Sequence, residues 1–371
     1  MFYNKLILTL SIIFLATQVN AKEDNYSFLH YKSEVFYVGG KYIKQSKDKT
    51  LMSEQMYVEK WTPKEIKHKY PLVLIHGAAQ TAVNWITTPD GRPGWANYFV
   101  KNGYVVYMVD QPSRGRSAWH PKINKEFRMF NAEILEKKFT AAEQFKNQWP
   151  QAYKHNQWPG TGRQGDETFD QFYASQVESV KSHVESSNLV KNAGVALLDK
   201  IGPAILITHS QSGPFGWLIT DARPDLVKGI VTIEPSGPPI KNKKGKKSMT
   251  WGVSVVPMTY EPAIASAKQL EVVQETKAQG TNLVKCWKQK EPAKQLVNLK
   301  DKNILFLVSE SSYHAPYDHC TSNWLTQAGV KNDLVRLEDV NIKGNGHMLM
   351  LEKNNLEIAK FIDNWLNKNI K

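Results

Sequence analysis

The chain has 371 residues, of which 41% are hydrophobic and 22% are charged, a composition that excludes a disordered or fibrous protein. Its formal charge is +13, but its one dense run of cations, residues 241–247, is short and has no interleaved aromatic side chains. Proteins that bind nucleic acid concentrate their cations on one face, so we expect no nucleic-acid partner.

The N-terminal segment is typical of a secretory signal. Lys5 precedes an apolar stretch over residues 6–16, and Val19-Asn20-Ala21 offers a cleavage site after Ala21. The apolar stretch is short for a membrane span, and no later segment is long enough. We therefore expect a secreted or periplasmic protein without stable membrane insertion, with an uncleaved anchor as the alternative.

Continuous apolar runs alternate with helical stretches along most of the chain. Two alternating stretches, residues 34–43 and 51–61, first predict antiparallel edge strands. Buried strands are then predicted at residues 71–75, 103–109, 205–209, 229–233, 303–308 and 334–340. Helices are predicted at residues 95–102, 215–222 and 356–366. This order indicates an α/β fold, a mostly parallel sheet with helices on both faces.

Two long stretches interrupt the alternation, at about residues 120–186 and 239–299. The first is polar, helix-prone and rich in aromatic residues. Loops of this length inside a compact fold are usually functional lids. We predict one domain over residues 22–371, with both insertions contributing to a helical cap.

A serine follows the third buried run, in Thr208-His209-Ser210-Gln211-Ser212-Gly213. Strand, sharp turn, serine and helix are the order that a nucleophile elbow needs, and small residues must flank the serine at two positions' distance. Ser210 has Thr208 and Ser212 there. Ser212 is the alternative, but Pro214 would crowd its turn and remove an N–H group. We therefore favour Ser210.

A serine nucleophile needs a base, an acid that orients the base, and donors for the oxyanion. His347, in a glycine-flanked loop after the last predicted strand, is the candidate base, since histidine has a pKa near working pH. The acid is Glu234 or Glu310, because each follows an apolar run. The oxyanion donors would be the main-chain amides of Gln211 and of Ala78, after the first buried strand.

Other histidines have alternative interpretations. His76 and His209 adjoin strand ends, and we expect structural roles for both. His314 and His319, with Asp318, could bind a metal, but their loop has no recognisable ligand spacing. We expect neither a metal nor another cofactor.

These residues resemble the α/β-hydrolase superfamily in the order serine, acid, histidine. The chain is more closely similar to bacterial esterases described as bifunctional carboxylic- and sulfuric-ester hydrolases, whose oxyanion loop carries two adjacent cysteines. The matching stretches are residues 209–213, Glu234-Pro235, Gly346-His347, 156–162 and 169–175. The resemblance covers most of the mature chain, and implies Ser210, Glu234 and His347 as a triad with Ala78 and Gln211 as oxyanion donors.

The chain departs from that family at Ala78-Ala79, where the cysteine pair is replaced. Alanine amides can still donate hydrogen bonds, so the expected activity is hydrolysis of carboxylic esters. For the acid, Pro235 and Gly237 fix the turn after Glu234, whereas the serines around Glu310 predict a solvated loop. We therefore predict Glu234.

The sequence leaves three other properties open. An amidase or lactonase of the same fold, or an inactive hydrolase-fold binding protein, are the alternatives to a serine esterase acting on a small-molecule ester. Cys286 and Cys320 could form a disulfide in an oxidising compartment. The oligomeric state is not assigned, and a homodimer remains open.

Overall fold

An eight-stranded sheet positions the candidate residues. The computed structural model describes residues 31–120, 126–242 and 244–371. The predicted signal peptide, residues 1–21, lies outside the described residues. The strands are β1 (Tyr31–Ser46), β2 (Lys49–Pro63), β3 (Leu72–Ile75), β4 (Val106–Asp110), β5 (Phe127–Arg128), β6 (Ser179–Val180), β7 (Ala204–His209), β8 (Val227–Ile233), β9 (Val272–Gln274), β10 (Trp287–Gln289), β11 (Asn303–Val308) and β12 (Asp333–Arg336).

The helices follow the strands in the alternation that the sequence predicts. They are α1 (Val83–Ile86), α2 (Trp95–Lys101), α3 (Ala132–Leu135), α4 (Glu167–Ala174), α5 (His183–Ile201), α6 (Gly213–Ala222), α7 (Asp318–Gln327) and α8 (Asn355–Asn369). None of the helices in the described part of the chain is long and apolar enough to cross a membrane.

The main sheet has the order β1-β2-β4-β3-β7-β8-β11-β12. The first three strands pair antiparallel and all later neighbours pair parallel. The α/β fold with a mostly parallel sheet is therefore confirmed. The predicted edge position is correct for β1 but wrong for β2, which lies between β1 and β4 because its apolar side chains Met56, Val58 and Trp61 are buried.

Alternate residues of the central strands face two separate cores. Val73 and Leu206 pack with α5 and α6 on one face. Leu74 and Ile207 pack with α2 and α8 on the other. A strand buried on both faces needs apolar residues at every position, which explains the continuous apolar runs.

The last predicted strand differs in extent from the prediction, and the two insertions contain little regular structure. The last strand ends at Arg336, and residues Leu337–Val340 form a 3-10 turn rather than the end of a strand. In the first predicted insertion, α3, α4 and a π-helical turn at Glu136–Thr140 account for most of the regular structure. In the second, β9 and β10 form a short ribbon. The division into a domain and a cap remains a prediction.

Candidate active site

The backbone turns sharply where β7 leads into α6, and Ser210 lies at that turn. Its φ of 55° is left-handed, a conformation that costs a non-glycine residue on the order of 1–3 kcal/mol. The space around the turn is narrow, since a Cβ on Gly213 would lie 2.2 Å from Cβ of Pro235. This strained turn has the features of a nucleophile elbow, which holds the serine oxygen beyond the end of the sheet.

Ser212, the alternative nucleophile, is fully buried between strand ends. Its Oγ donates to the carbonyl oxygen of Ile75 at 2.6 Å and accepts the N–H of His209 at 2.8 Å. Ser212 therefore links the ends of β3 and β7. Of the two candidate serines, Ser210 is the one that lies beside the candidate base.

His347 lies in the loop before α8 and joins the serine to an acid. Its Nε2 is 2.9 Å from Ser210 Oγ, and its Nδ1 is 2.5 Å from Oε2 of Glu234. With the proton on Nδ1, Nε2 is left as an acceptor for the serine hydroxyl. His209 donates from Nε2 to the carbonyl oxygen of His347 at 2.9 Å, in keeping with its predicted structural role.

Glu234 is fully buried at the end of β8. Its Oε1 accepts the N–H of Ser309 at 2.7 Å, and its Oε2 accepts the hydroxyl of Ser312 at 2.5 Å. Burial raises the pKa of Glu234 to about 7, although the neighbouring His314 and the bonds from both serines act to lower it. The carboxylate is thus oriented on three sides, with His347 as its third partner.

Glu310, the alternative acid, bonds elsewhere. Its Oε1 accepts the ammonium of Lys154 at 2.7 Å, and its Oε2 accepts the N–H of Gly344 at 2.9 Å. Burial acts to raise the pKa of Glu310, but these two bonds outweigh it and the pKa is lowered. Glu310 therefore supports the loop that precedes His347 without contacting the imidazole.

The loop around Glu310 is buried, so the prediction that it is solvated is wrong. Ser311 and Ser312 are fully buried. Ser311 donates from Oγ to the carbonyl oxygen of Asn345 at 2.6 Å, and Ser312 bonds Glu234. Serines are typical of exposed loops, but these two serines donate the hydrogen bonds that buried acceptors require.

The predicted oxyanion donors belong to two segments that adjoin the serine, the loop after β3 and the residue that follows Ser210. A Cβ on Gly77 would lie 3.1 Å from Cβ of Ser210, so the loop after β3 runs directly against the nucleophile. Within the described ranges, the main-chain N–H groups of Ala78 and Gln211 donate to no protein acceptor. Such unpaired amides beside a nucleophile can accept a substrate oxygen.

Arg114, which sequence analysis missed, connects the two halves of this site. It is buried and donates from Nη1 to the carbonyl oxygen of Gly77 at 2.7 Å and from Nη2 to Oε1 of Gln211 at 3.1 Å. Its sequence context, between Ser113 and Gly115, is that of an ordinary surface turn. No local pattern distinguishes it, because both partners are distant along the chain.

Three further aromatic side chains contact His347, those of Phe139, Tyr313 and His314. The ring of His314 stacks on that of His347 with centroids 4.7 Å apart and planes 9° apart, while His314 Nδ1 bonds Oδ1 of Asp318 at 2.9 Å. The hydroxyl of Tyr313 lies 3.5 Å from His347 Nε2. Aromatic rings therefore pack around the imidazole, and of these residues the sequence analysis had named only His314, as a possible metal ligand.

The residues of the metal alternative do not converge. His314 pairs with Asp318, whereas Nε2 of His319 lies 3.6 Å from Sγ of Cys320. Cys320 is joined to Cys286 in a disulfide with Cα atoms 5.1 Å apart. Absence of a metal remains a prediction.

A cation from the first insertion contacts the loop that carries His347. His155 bonds Glu143 through Nδ1 at 3.1 Å and Glu352 through Nε2 at 2.8 Å. Burial lowers the pKa of His155, but the two carboxylates outweigh it and raise the pKa to about 9. Glu352 also accepts the N–H of Gly346 at 2.9 Å. The insertion is thus tied by charge to the residue preceding His347.

No protein-family model matches the chain. A protein of a fungal species (strain ATCC 74256), named probable secreted lipase phiG, is 46% identical over 336 residues, which cover 90% of this chain and 89% of that protein. A solved structure described as that of a novel bacterial esterase aligns with a TM-score of 0.63 at 24% identity, covering 91% of this chain and 96% of that one.

The two similarities carry different weight. The structural match shows a shared fold, and the sequence match is high and long enough to show a shared family. The chain belongs to the family that includes this fungal protein, and its mostly parallel sheet, with a serine at the turn after β7, has the α/β-hydrolase fold.

Proposed function

We propose that the protein hydrolyses carboxylic esters through a covalent acyl-enzyme, with Ser210 as nucleophile, His347 as base and Glu234 as the acid that orients it. One observation carries the proposal: an unbroken line of hydrogen bonds joins Ser210 Oγ, both ring nitrogens of His347 and Glu234. The name of the fungal relative, a probable secreted lipase, supports an ester as the substrate.

In the first half of the reaction, Ser210 Oγ attacks the ester carbonyl carbon while its proton passes to His347 Nε2. The carbonyl oxygen becomes an oxyanion that accepts hydrogen bonds from the amides of Ala78 and Gln211. The ester C–O bond then breaks, and His347 Nε2 gives its proton to the departing alcohol. Glu234 keeps the second imidazole proton on Nδ1 and stabilises the transient imidazolium.

In the second half, water replaces the alcohol. His347 Nε2 takes a proton from the water, whose oxygen attacks the acyl carbon, and the proton returns to Ser210 Oγ as the carboxylic acid leaves. Arg114 acts as a positioning residue in both halves, since it holds the carbonyl of Gly77 and the side chain of Gln211 at fixed distances.

The proposal includes export from the cell. The fungal relative is named as secreted, the cysteines are joined in a disulfide as oxidising compartments allow, and the N-terminal segment is typical of a cleaved signal.

A fluorophosphonate that reacts with activated serines tests the mechanism. We expect one label per chain, mapped to Ser210 by peptide mass spectrometry, and loss of ester hydrolysis in proportion to labelling. Label on another serine, or activity that a chelator abolishes and metal restores, would contradict the proposal. Faster turnover of matched amides or lactones than of open-chain esters would favour the alternative reaction class.

We expect kcat/KM to fall on the acid side with a one-proton slope and a midpoint near pH 7. Burial raises the pKa of Glu234 to about 7 and lowers the pKa of His347, so the pair takes up its extra proton jointly. Whether this proton lies on His347 or on Glu234, His347 can no longer donate from Nδ1 to a carboxylate and accept the serine proton at Nε2. Activity is therefore full above the midpoint and lost below it. A pH profile on an ester with a non-titrating leaving group measures this, and a midpoint below 5 in the folded protein would contradict it.

A further inference from the structure

A cavity of about 560 Å³ lies next to the candidate site, on one side of the nucleophile. Its lining comes from the loops after β8 and β11 and from the first insertion. In the sheet, β8 and β11 follow β7 on one side, whereas β3, whose loop carries Ala78, lies on the other. The cavity is therefore opposite the oxyanion donor of the β3 loop.

Tyr313 connects the cavity to the reacting atoms. Its ring forms part of the cavity wall, and its hydroxyl lies 3.5 Å from Nε2 of His347. Nε2 must give its proton to the departing alcohol, so the alcohol oxygen has to lie on this side of the ester carbon. A group attached to that oxygen would extend past Tyr313 into the cavity.

Three aromatic residues are part of the cavity lining. These are Trp149, Tyr313 and Tyr317, and the rings of Trp149 and Tyr313 meet edge to face with centroids 6.0 Å apart. The indole of Trp149 is held by a hydrogen bond to the carbonyl oxygen of Ser311 at 2.8 Å. Flat rings fixed in this way favour an aromatic or planar occupant.

Of the residues that the structure describes, the charged groups that line the cavity are Lys138 and Lys244, and no carboxylate lines it. Lys138 places its ammonium 5.2 Å from the centroid of the Tyr313 ring. Among the described residues, neither lysine has a carboxylate within ion-pair distance.

Both lysines keep a substantial solvent-exposed surface, and their charges also act on neighbouring groups. Partial burial, then the like charges of Arg128 and Lys244, lower the pKa of Lys138. Burial and His314, followed by Lys138, lower the pKa of His347. Cations that repel one another in a cavity would be stabilised by an anionic occupant.

We propose that this cavity binds the alcohol part of an ester that carries a carboxylate on an aromatic ring, with Lys138 and Lys244 contacting the anion and the aromatic wall contacting the ring. This assignment rests on the proposed ester hydrolysis at Ser210 and specifies its substrate class.

The test compares two isosteric pairs of esters. In the first pair, 4-acetoxybenzoate and 4-acetoxybenzamide, the charge is on the alcohol part. In the second, the 4-nitrophenyl hemiester of glutaric acid and its carboxamide counterpart, it is on the acyl part. We expect kcat/KM to favour the charged member of the first pair by about tenfold at low salt. The ratio should decrease toward one at about 1 M salt, where charges are screened within about 3 Å.

Substitution of the lysines separates this charge effect from other causes. Lys138→Met and Lys244→Met keep an apolar stem, and each should lower the first ratio by about threefold or more, with the double variant near one. Lys137→Met is the matched control, because Lys137 extends over Phe145, with its ammonium 5.6 Å from that ring, and does not line the cavity. It should leave the ratio unchanged.

The outcomes are distinguishable. Hydrolysis of all four esters with ratios that neither salt nor the lysine variants change would overturn the inference and leave the proposed function standing. A lysine-dependent preference in the acyl pair alone would overturn the assignment of the cavity to the alcohol. Failure to hydrolyse any ester would overturn the proposed function, and this inference with it.

Discussion

Ser210→Ala is expected to lower kcat for ester hydrolysis by on the order of 10⁶-fold, the loss seen when a serine nucleophile is removed from a triad. The hydroxyl whose proton His347 accepts is gone, and no acyl-enzyme can form. The remaining rate would come from the oxyanion donors and from substrate binding alone. Steady-state kinetics on purified protein, with labelling by a fluorophosphonate as a count of active sites, measures the loss.

Ser212→Ala is the matched control, two residues away in the same turn. Its hydroxyl bonds Ile75 and His209 in a fully buried position, so its removal should destabilise the fold by about 1–3 kcal/mol. Turnover should stay within about tenfold of the wild type. Denaturant unfolding separates the two effects. An inactive but folded Ser212 variant beside an active Ser210 variant would show that the nucleophile was assigned to the wrong serine.

The sequence predicts the sheet well because its strands are buried on both faces. A strand such as β7 must be apolar at every position, and its carboxyl end is marked by an abrupt change to polar residues. The same logic brings Ser210, Glu234 and His347 to one edge of the sheet. The prediction is wrong for β2. Its alternating pattern is typical of an edge strand, but β1 pairs with its outer side, so β2 is not at the edge.

The contacts that refine the site could not be predicted, because they join residues far apart in sequence. Arg114 bonds Gly77 and Gln211, and no local pattern marks it. The serines near Glu310 have the composition of a solvated loop, and only the tertiary structure shows that they bond buried acceptors. The composition of a segment indicates only how exposed such residues usually are. A buried polar network depends on which side chains the tertiary structure brings into contact.

The choice between Glu234 and Glu310 likewise depends on contacts between residues that are far apart in the sequence. Glu234→Gln is expected to lower kcat by about 10³- to 10⁴-fold with little change in KM. The carboxylate accepts from His347 Nδ1, Ser309 and Ser312. An amide nitrogen in place of Oε2 is a donor, so it would face Nδ1 as an acceptor and leave the imidazole proton on Nε2. That tautomer cannot take the serine proton.

Glu310→Gln tests whether this loss is specific, because it makes the same chemical change one strand later. Glutamine can still accept the N–H of Gly344, while the ion pair with the half-exposed Lys154 is lost. We expect a destabilisation of about 1 kcal/mol and kcat within about tenfold of the wild type. Steady-state kinetics, with circular dichroism as a check of folding, on both variants decide which glutamate orients His347. If Glu310→Gln lowers kcat strongly while Glu234→Gln stays near the wild type, the acid that orients His347 lies after β11. The hydrogen bonds of Glu234 would then only stabilise the buried loop.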